Sequence, residues 1–326
     1  MDMKKYYDNS WLTDNRWGDW GADDERGVMN DLTPEMILKA ASMIRTGKIY
    51  DLETERFKGM PIWAGHCGFD LLSYASPDGR RNMKGSNYDK SFNWCEDGGM
   101  LGSDKDDYHM GLNTEIMIAP LHVGTHIDAL CHWTTGEDNH WYNGYTAEKY
   151  CTNFGPTKTD IAKIPPMVMR GVLLDIAGYK GVEHLEPNYI ITAEDCEGCA
   201  KWEGVELRKG DAVLLRCGEQ WPANDKCPDA GVGISAARYL VEGCGAFLIG
   251  DDMACIDGFN ADGSSSWPKH PQPVHHYLLT QQGVHIIEFL QLDELARDKV
   301  YEFCFINTTC KVRSATGMFV RPIAIV

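Results

Sequence analysis

The sequence predicts an α/β domain, and three observations carry that prediction. Short β-branched runs are dense in the second half: "GVLLDI", "DAVLLRC", "GAFLIG", "GVHIIEFL", "EFCFIN" and "RPIAIV". Helical stretches stand between them: "TAEDCEGCAKW", "SAARYLVEGC" and "LDELARD". Strands mixed with helices in this way build α/β architectures. Hydrophobic residues make up 43% of the 326, enough for a sizeable core. That length allows one large or two moderate domains. No shift in composition separates two, so the sequence reads as one domain over residues 47–326 with an N-terminal extension over 1–46.

The extension has two parts. Its first part is irregular and rich in Trp and Gly; Trp11, Trp17 and Trp20 read as packing or subunit contacts rather than pocket walls. A helix starts at "LTPEM", where Thr33 is a good N-cap, Pro34 fits the first turn and Glu35 suits the helix dipole. Its pattern runs to Gly47, and "KIYDL" then begins the first strand. Residues 64–112 are polar and Gly-rich, too long for an ordinary connection, and read as a functional loop or flap. "EIMIAPL" is a strand, and a second long insertion covers 134–168. There is no internal repeat and no low-complexity linker.

Composition excludes several classes of function. The formal net charge is −17, which repels phosphate backbones and argues against a nucleic-acid partner. No run of eighteen apolar residues is present, so no membrane span is expected. The N-terminus has no apolar segment of the secretory kind. The twelve cysteines are scattered and read as reduced thiols of a cytoplasmic protein. Cys196 and Cys199 form a close pair with no second pair to complete a zinc site, and read as helix packing. Gly231-x-Gly233 in "DAGVGISAARYL" is a fragment of a dinucleotide fingerprint, better explained as a loop entering a helix.

The densest chemistry lies in "HVGTHIDALCH", residues 122–132. In a helix, His122 and His126 would be neighbours, but Asp128 would lie roughly 240° round from His122 at about 100° per residue. In a strand all would share a face, but His122 and His126 would stand about 13 Å apart at roughly 3.3 Å per residue. The segment must therefore bend, and Gly124 permits it. A strand that turns at Gly124 and Thr125 gathers His122, His126 and Asp128 round one centre. Two imidazoles and a carboxylate suit Zn(II), Mn(II) or Fe(II) and leave positions for water. His132 lies beyond these three and is better placed to move protons.

A second patch is "KHPQPVHHYLLTQQGVHIIEFL". Here "HHYLL" reads as helix and "VHIIEFL" as strand. Glu288 sits in an apolar run, where a carboxylate is costly unless paired or bound to metal. A structural salt bridge and a metal ligand both fit it. His276 precedes Glu288 by twelve residues, while His275 and His285 read as structural or solvent-facing.

On these residues the sequence resembles the cyclase-like family of metal-dependent hydrolases, which includes bacterial kynurenine formamidases and isatin hydrolases. The family hallmark is His-x-Gly-Thr-His-x-Asp-x-Pro-x-His. It stands here as "HVGTHIDALCH", with Leu130 in place of the Pro. "WGADDERGVMNDLTPE", "RGVLLDI", "GDAVLLRCG" and "FLIGDDMACIDG" resemble segments of larger members and occur in the expected order. The resemblance implies a swivelling β/β/α-type fold and a homo-oligomer, dimer or tetramer. It implies that His122, His126 and Asp128 bind a first metal, that Asp128 bridges to a second held also by His276, and that Glu288 bridges both. His132 would be the proton shuttle, and Trp63 would line the substrate pocket. Isatin hydrolases use one manganese with the first triad, so one or two ions of Zn or Mn are implied.

The implied activity is hydrolysis of a C–N amide bond, in an aryl formamide, cyclic amide or imide, or of a lactone, in a small planar substrate. Metal-bound hydroxide would attack the carbonyl, and His132 would carry the proton. Two other readings compete. One is a non-catalytic metal-binding member of the family. The other is a thiol enzyme built on Cys131 and His132, which would survive chelation.

Overall fold

The computed structural model describes residues 3–62, 65–75, 113–218 and 230–326. Nine strands form one sheet: β1 (Ile49–Asp51), β2 (His126–Asp128), β3 (Met167–Asp175), β4 (Ala212–Arg216), β5 (Leu248–Asp251), β6 (His285–Glu288), β7 (Glu302–Asn307), β8 (Gly317–Phe319) and β9 (Ile323–Ile325). Their spatial order is β1-β9-β7-β3-β4-β5-β6-β2-β8. The central four, β3 to β6, run parallel. Their apolar runs are continuous rather than alternating, as strands buried on both faces require, and Leu173, Val213, Leu214, Ile249 and Ile286 have no exposed surface. Antiparallel strands complete both sides: β7, β9 and β1 beyond β3, β2 and β8 beyond β6.

The six strands read in the second half all form, as do the helices Ala193–Glu203, Ile234–Arg238 and Asp293–Arg297. The architecture is mixed α/β. β8 carried no β-branched run and was not anticipated. Two helices continue as π-helical turns, at Tyr239–Gly243 and His276–Gln282. Gly231–Val232 pairs with Ile190–Ile191 and leads directly into the helix at Ile234, a loop entering a helix.

Two compact units are present, one of residues 1–55 with 121–326, the other of 56–120. The N-terminal segment belongs to the first, where Tyr6 and Trp11 are fully buried. Thr33 caps the helix Pro34–Ala41 by accepting the Met36 N–H at 3.3 Å. That helix stops at Ala41 rather than Gly47. The N–H groups of Thr46 and Gly47 instead bond the Val326 carbonyl at 2.9 and 2.7 Å, which draws the chain onto the sheet edge. In the second unit, Thr114–Ile118 forms the strand expected from "EIMIAPL", but it pairs with Asp70–Ala75 and is no part of the large sheet. Most of the 64–112 loop lies outside the described residues. Among those described, no helix is long and apolar enough to cross a membrane.

Candidate metal centre

The chain bends before β2, and Gly124 takes φ +57°, a left-handed conformation that glycine adopts without strain. His126 and Asp128 then share one face of β2, two residues apart. In the antiparallel pairing Glu288 lies directly opposite His126, so their side chains are neighbours on that face. Gly317 of β8 lies opposite Asp128. A Cβ there would stand 2.3 Å from His122 Cε1, so the absent side chain is what admits the His122 ring.

Thr125 braces the bend. Its hydroxyl donates to the Phe289 carbonyl at 2.6 Å, and it exchanges hydrogen bonds with Thr54. Phe289 holds φ +57°, a strained backbone for an aromatic residue. The Met253 carbonyl, accepting from the Phe289 N–H at 3.0 Å, helps to fix it. The strand ending in Glu288 is thus tied to the segment carrying His126.

Four side chains converge. His126 Nε2 lies 3.5 Å from Asp128 Oδ1 and 3.3 Å from Glu288 Oε2. On the other side, His275 Nε2 lies 3.7 Å from Asp128 Oδ2 and 3.5 Å from Glu288 Oε1. Each carboxylate therefore turns one oxygen to His126 and the other to His275. These separations are long for hydrogen bonds. They match the edge of a tetrahedron of donors round one ion, about 3.4 Å for bonds of roughly 2.1 Å. Asp128 Oδ2 is buried with no hydrogen-bond partner, a costly state for a carboxylate oxygen that an ion would relieve. His122 joins on the first side, its Nδ1 2.8 Å from Asp128 Oδ1 and its Nε2 3.0 Å from Thr316 Oγ1.

The structure does not bring His276 into this group. His276 Nδ1 and His270 Nε2 share a hydrogen bond at 2.8 Å, and the His276 ring packs on Trp11. His275, read from sequence as structural or solvent-facing, is buried among the converging groups instead. The π-helical turns of His276–Gln282 explain the shift. They spend more residues per turn than an α-helix, so the histidine facing Glu288 lies thirteen residues before it rather than twelve. His285 is structural, its Nδ1 donating to the Asp128 carbonyl at 2.9 Å.

The electrostatics show a demand for positive charge. Burial pushes the Asp128 carboxyl up, yet His132, His122 and His126 outweigh it and hold the group far below the usual carboxylate range. Burial likewise disfavours protonated His126, but Glu288 and Asp128 raise its pKa overall. His275 is raised to about 9: burial opposes the charge, while Asp257, Glu288 and Asp128 favour it more strongly. Divalent cations would meet the same demand.

His132 stacks on His122 with ring centroids 4.0 Å apart. Burial lowers its pKa to about 3, so the ring is neutral near pH 7. Cys131 is buried and burial raises its thiol to about 12, the reverse of what a nucleophilic thiol needs. Leu130, in the hallmark's Pro position, is fully buried core. Trp63 lies outside the described residues. The trio Cys255, Asp257 and His275 also brings potential ligand atoms together, but Asp257 already accepts three hydrogen bonds. Thr316, Gly317 and Asp257 escaped sequence reasoning. Only "FLIGDDMACIDG" held a trace of the last, with nothing local to mark it.

Residues 50–258, more than half of the chain, match the putative cyclase family. The chain belongs to that family. The matched span contains His122, His126, Asp128 and His132 and stops short of His275 and Glu288. No curated protein matches this chain. Among solved structures it is similar to a novel cyclase, 28% identical over 98% of this chain and 99% of that one, with a TM-score of 0.80. It is also similar to an isatin hydrolase bound to the product analogue thioisatinate, 17% identical over 90% and 99% of the two chains, TM-score 0.57. Isatin hydrolase A from Labrenzia aggregata, bound to benzyl benzoate, is 18% identical over 88% and 95%, TM-score 0.55. At these identities the likeness to the isatin hydrolases is one of fold.

Proposed function

We propose that this protein is a metal-dependent hydrolase that opens a C–N amide bond, in an aryl formamide, cyclic amide or imide, or a lactone, in a small planar substrate. The observation that carries this reading is the sharing of Asp128 and Glu288 between His126 and His275, one oxygen of each carboxylate to each side. His122, His126, Asp128 and Glu288 would hold one divalent ion. Asp128, Glu288 and His275 would hold a second. Imidazole and carboxylate donors suit Zn(II) or Mn(II). When bound, such ions polarise a carbonyl and make a water molecule acidic near neutral pH.

His132 supplies the proton chemistry. Its neutral imidazole accepts a proton as water oxygen bonds to the carbonyl carbon. It returns that proton to the leaving nitrogen, or to the lactone oxygen, as that bond breaks. Its stacking on His122 fixes the ring beside the centre. Water is consumed; an amide gives an acid and an amine, an imide an acid and an amide, and a lactone a hydroxy acid. The net charge of −17 favours a small-molecule substrate over nucleic acid.

The test is a panel of N-formyl aryl amines, cyclic imides and lactones, assayed before and after chelation and after return of Zn(II) or Mn(II). Turnover that chelation removes and metal restores supports the reading. Turnover that persists in chelator contradicts it.

A further inference from the structure

We propose that Asp257 is the positioning residue of the second half of the centre: it fixes the His275 ring so that the Nε2 lone pair faces Asp128 and Glu288. This inference rests on the metal-centre reading above. Asp257 is fully buried. Its Oδ1 accepts the Val274 N–H at 2.8 Å. Its Oδ2 accepts the His275 N–H at 3.1 Å and the His275 ring Nδ1 at 2.7 Å. A carboxylate only accepts, so Nδ1 carries a hydrogen, and in the neutral ring the lone pair lies on Nε2. The two backbone bonds hold the carboxylate still while it holds the ring. Such outer partners set the tautomer and orientation of a metal-binding histidine.

The neighbouring residues show that this is a property of one loop. The Ile256 N–H donates to Glu288 Oε1 at 2.8 Å, so adjacent residues hold both His275 and Glu288. The loop is itself clamped. Val232 N–H donates to the Ile256 carbonyl at 2.7 Å, and Gly258 N–H to the Val232 carbonyl at 3.1 Å. A Cβ on Gly258 would stand 2.7 Å from the Gly231 carbonyl oxygen, so the two backbones meet closely. The first half is braced elsewhere. His126 Nδ1 donates to the Gly124 carbonyl at 2.8 Å, and His122 meets Thr316. Loss of Asp257 should therefore weaken the second half selectively.

The test uses the full chain with its histidines labelled with 15N. In metal-free wild type, at a pH where the His275 ring is neutral, NMR should show the hydrogen on Nδ1. In Asp257→Asn, whose amide can donate, the Nε2–H form should gain population. Zn(II) titration should show first-site affinity unchanged in the variant and second-site affinity about 10- to 100-fold weaker. His275→Ala, which keeps the Asp257 contacts to the backbone, should lose the second site alone. The tautomer of the wild type needs neither a bound ion nor a stable variant, so its result is separable from any failure of the metal reading. Nε2–H in the wild type would overturn the inference. So would an Asp257→Asn chain with a lowered melting temperature but unchanged second-site affinity, because Asp257 would then serve only to cap the helix.

Discussion

The two halves of the centre are built in different ways. His122, His126 and Asp128 come from one short segment, bent at Gly124, with two of the three on a single strand. The other half is assembled from the end of β6, the helical turn Pro273–His275 just before a π-helical segment, and the loop at 255–257. A contiguous half is specified mainly by local spacing, with Thr316 and Gly317 the distant residues that seat the His122 ring. A discontiguous half depends on the register of a helix and on how a loop is clamped. It therefore tolerates less disturbance at a distance.

The largest effect should come from a residue that both halves share. Asp128→Asn should abolish binding of both ions and lower activity by about 10³-fold or more, read as metal content and turnover of the same preparation. Loss of one ion only would mean that Asp128 does not bridge. Next is the contrast between neighbours. His275→Ala should lose one ion and most activity, whereas His276→Ala should keep both and lose only the His270 and Trp11 contacts. The opposite result would restore the twelve-residue spacing and remove the π-helical explanation. His132→Gln separates proton transfer from binding in both halves. Metal content should stay at the wild-type value while kcat falls about 10²- to 10⁴-fold.

Gly317→Ala should disturb the first half alone, since its Cβ would meet the His122 ring. First-site affinity should fall about tenfold, by analogy with other disturbances of ligand orientation, with the second unchanged by titration. The smallest effect is expected at Glu203, a carboxylate outside both halves. Burial raises it from 4.5 to about 8, and its Oε2 has no hydrogen-bond partner. The folded state therefore holds this proton more tightly than the unfolded one. Its contribution to stability is full below pH 4.5 and is lost as pH rises toward 8. Glu203→Gln should lose less melting temperature than wild type between those limits. Equal slopes would show that Glu203 ionises freely.

Much of this was legible. The alternation of apolar runs and helical patterns marks the sheet because buried parallel strands leave continuous hydrophobic stretches, and "GVLLDI" and "DAVLLRC" are of that kind. The bend at Gly124 followed from the mismatch between strand rise and the reach of one ion. The place of His275 beside Asp128 and Glu288 was not foreseen because a helical count assumes α-helical turns, and nothing in "HHYLLTQQ" announces wider ones. β8 was missed because "GMF" has no periodicity, although its glycine makes room for the His122 ring. Asp257 was invisible because its partner His275 lies eighteen residues away in sequence.

The most direct test is anomalous diffraction from crystals of the full chain grown with Zn(II). The account predicts two peaks per chain, both contacting Asp128 and Glu288, one beside His126 and one beside His275. Absence of any peak between these carboxylates, or a peak held by His276 instead of His275, would contradict it.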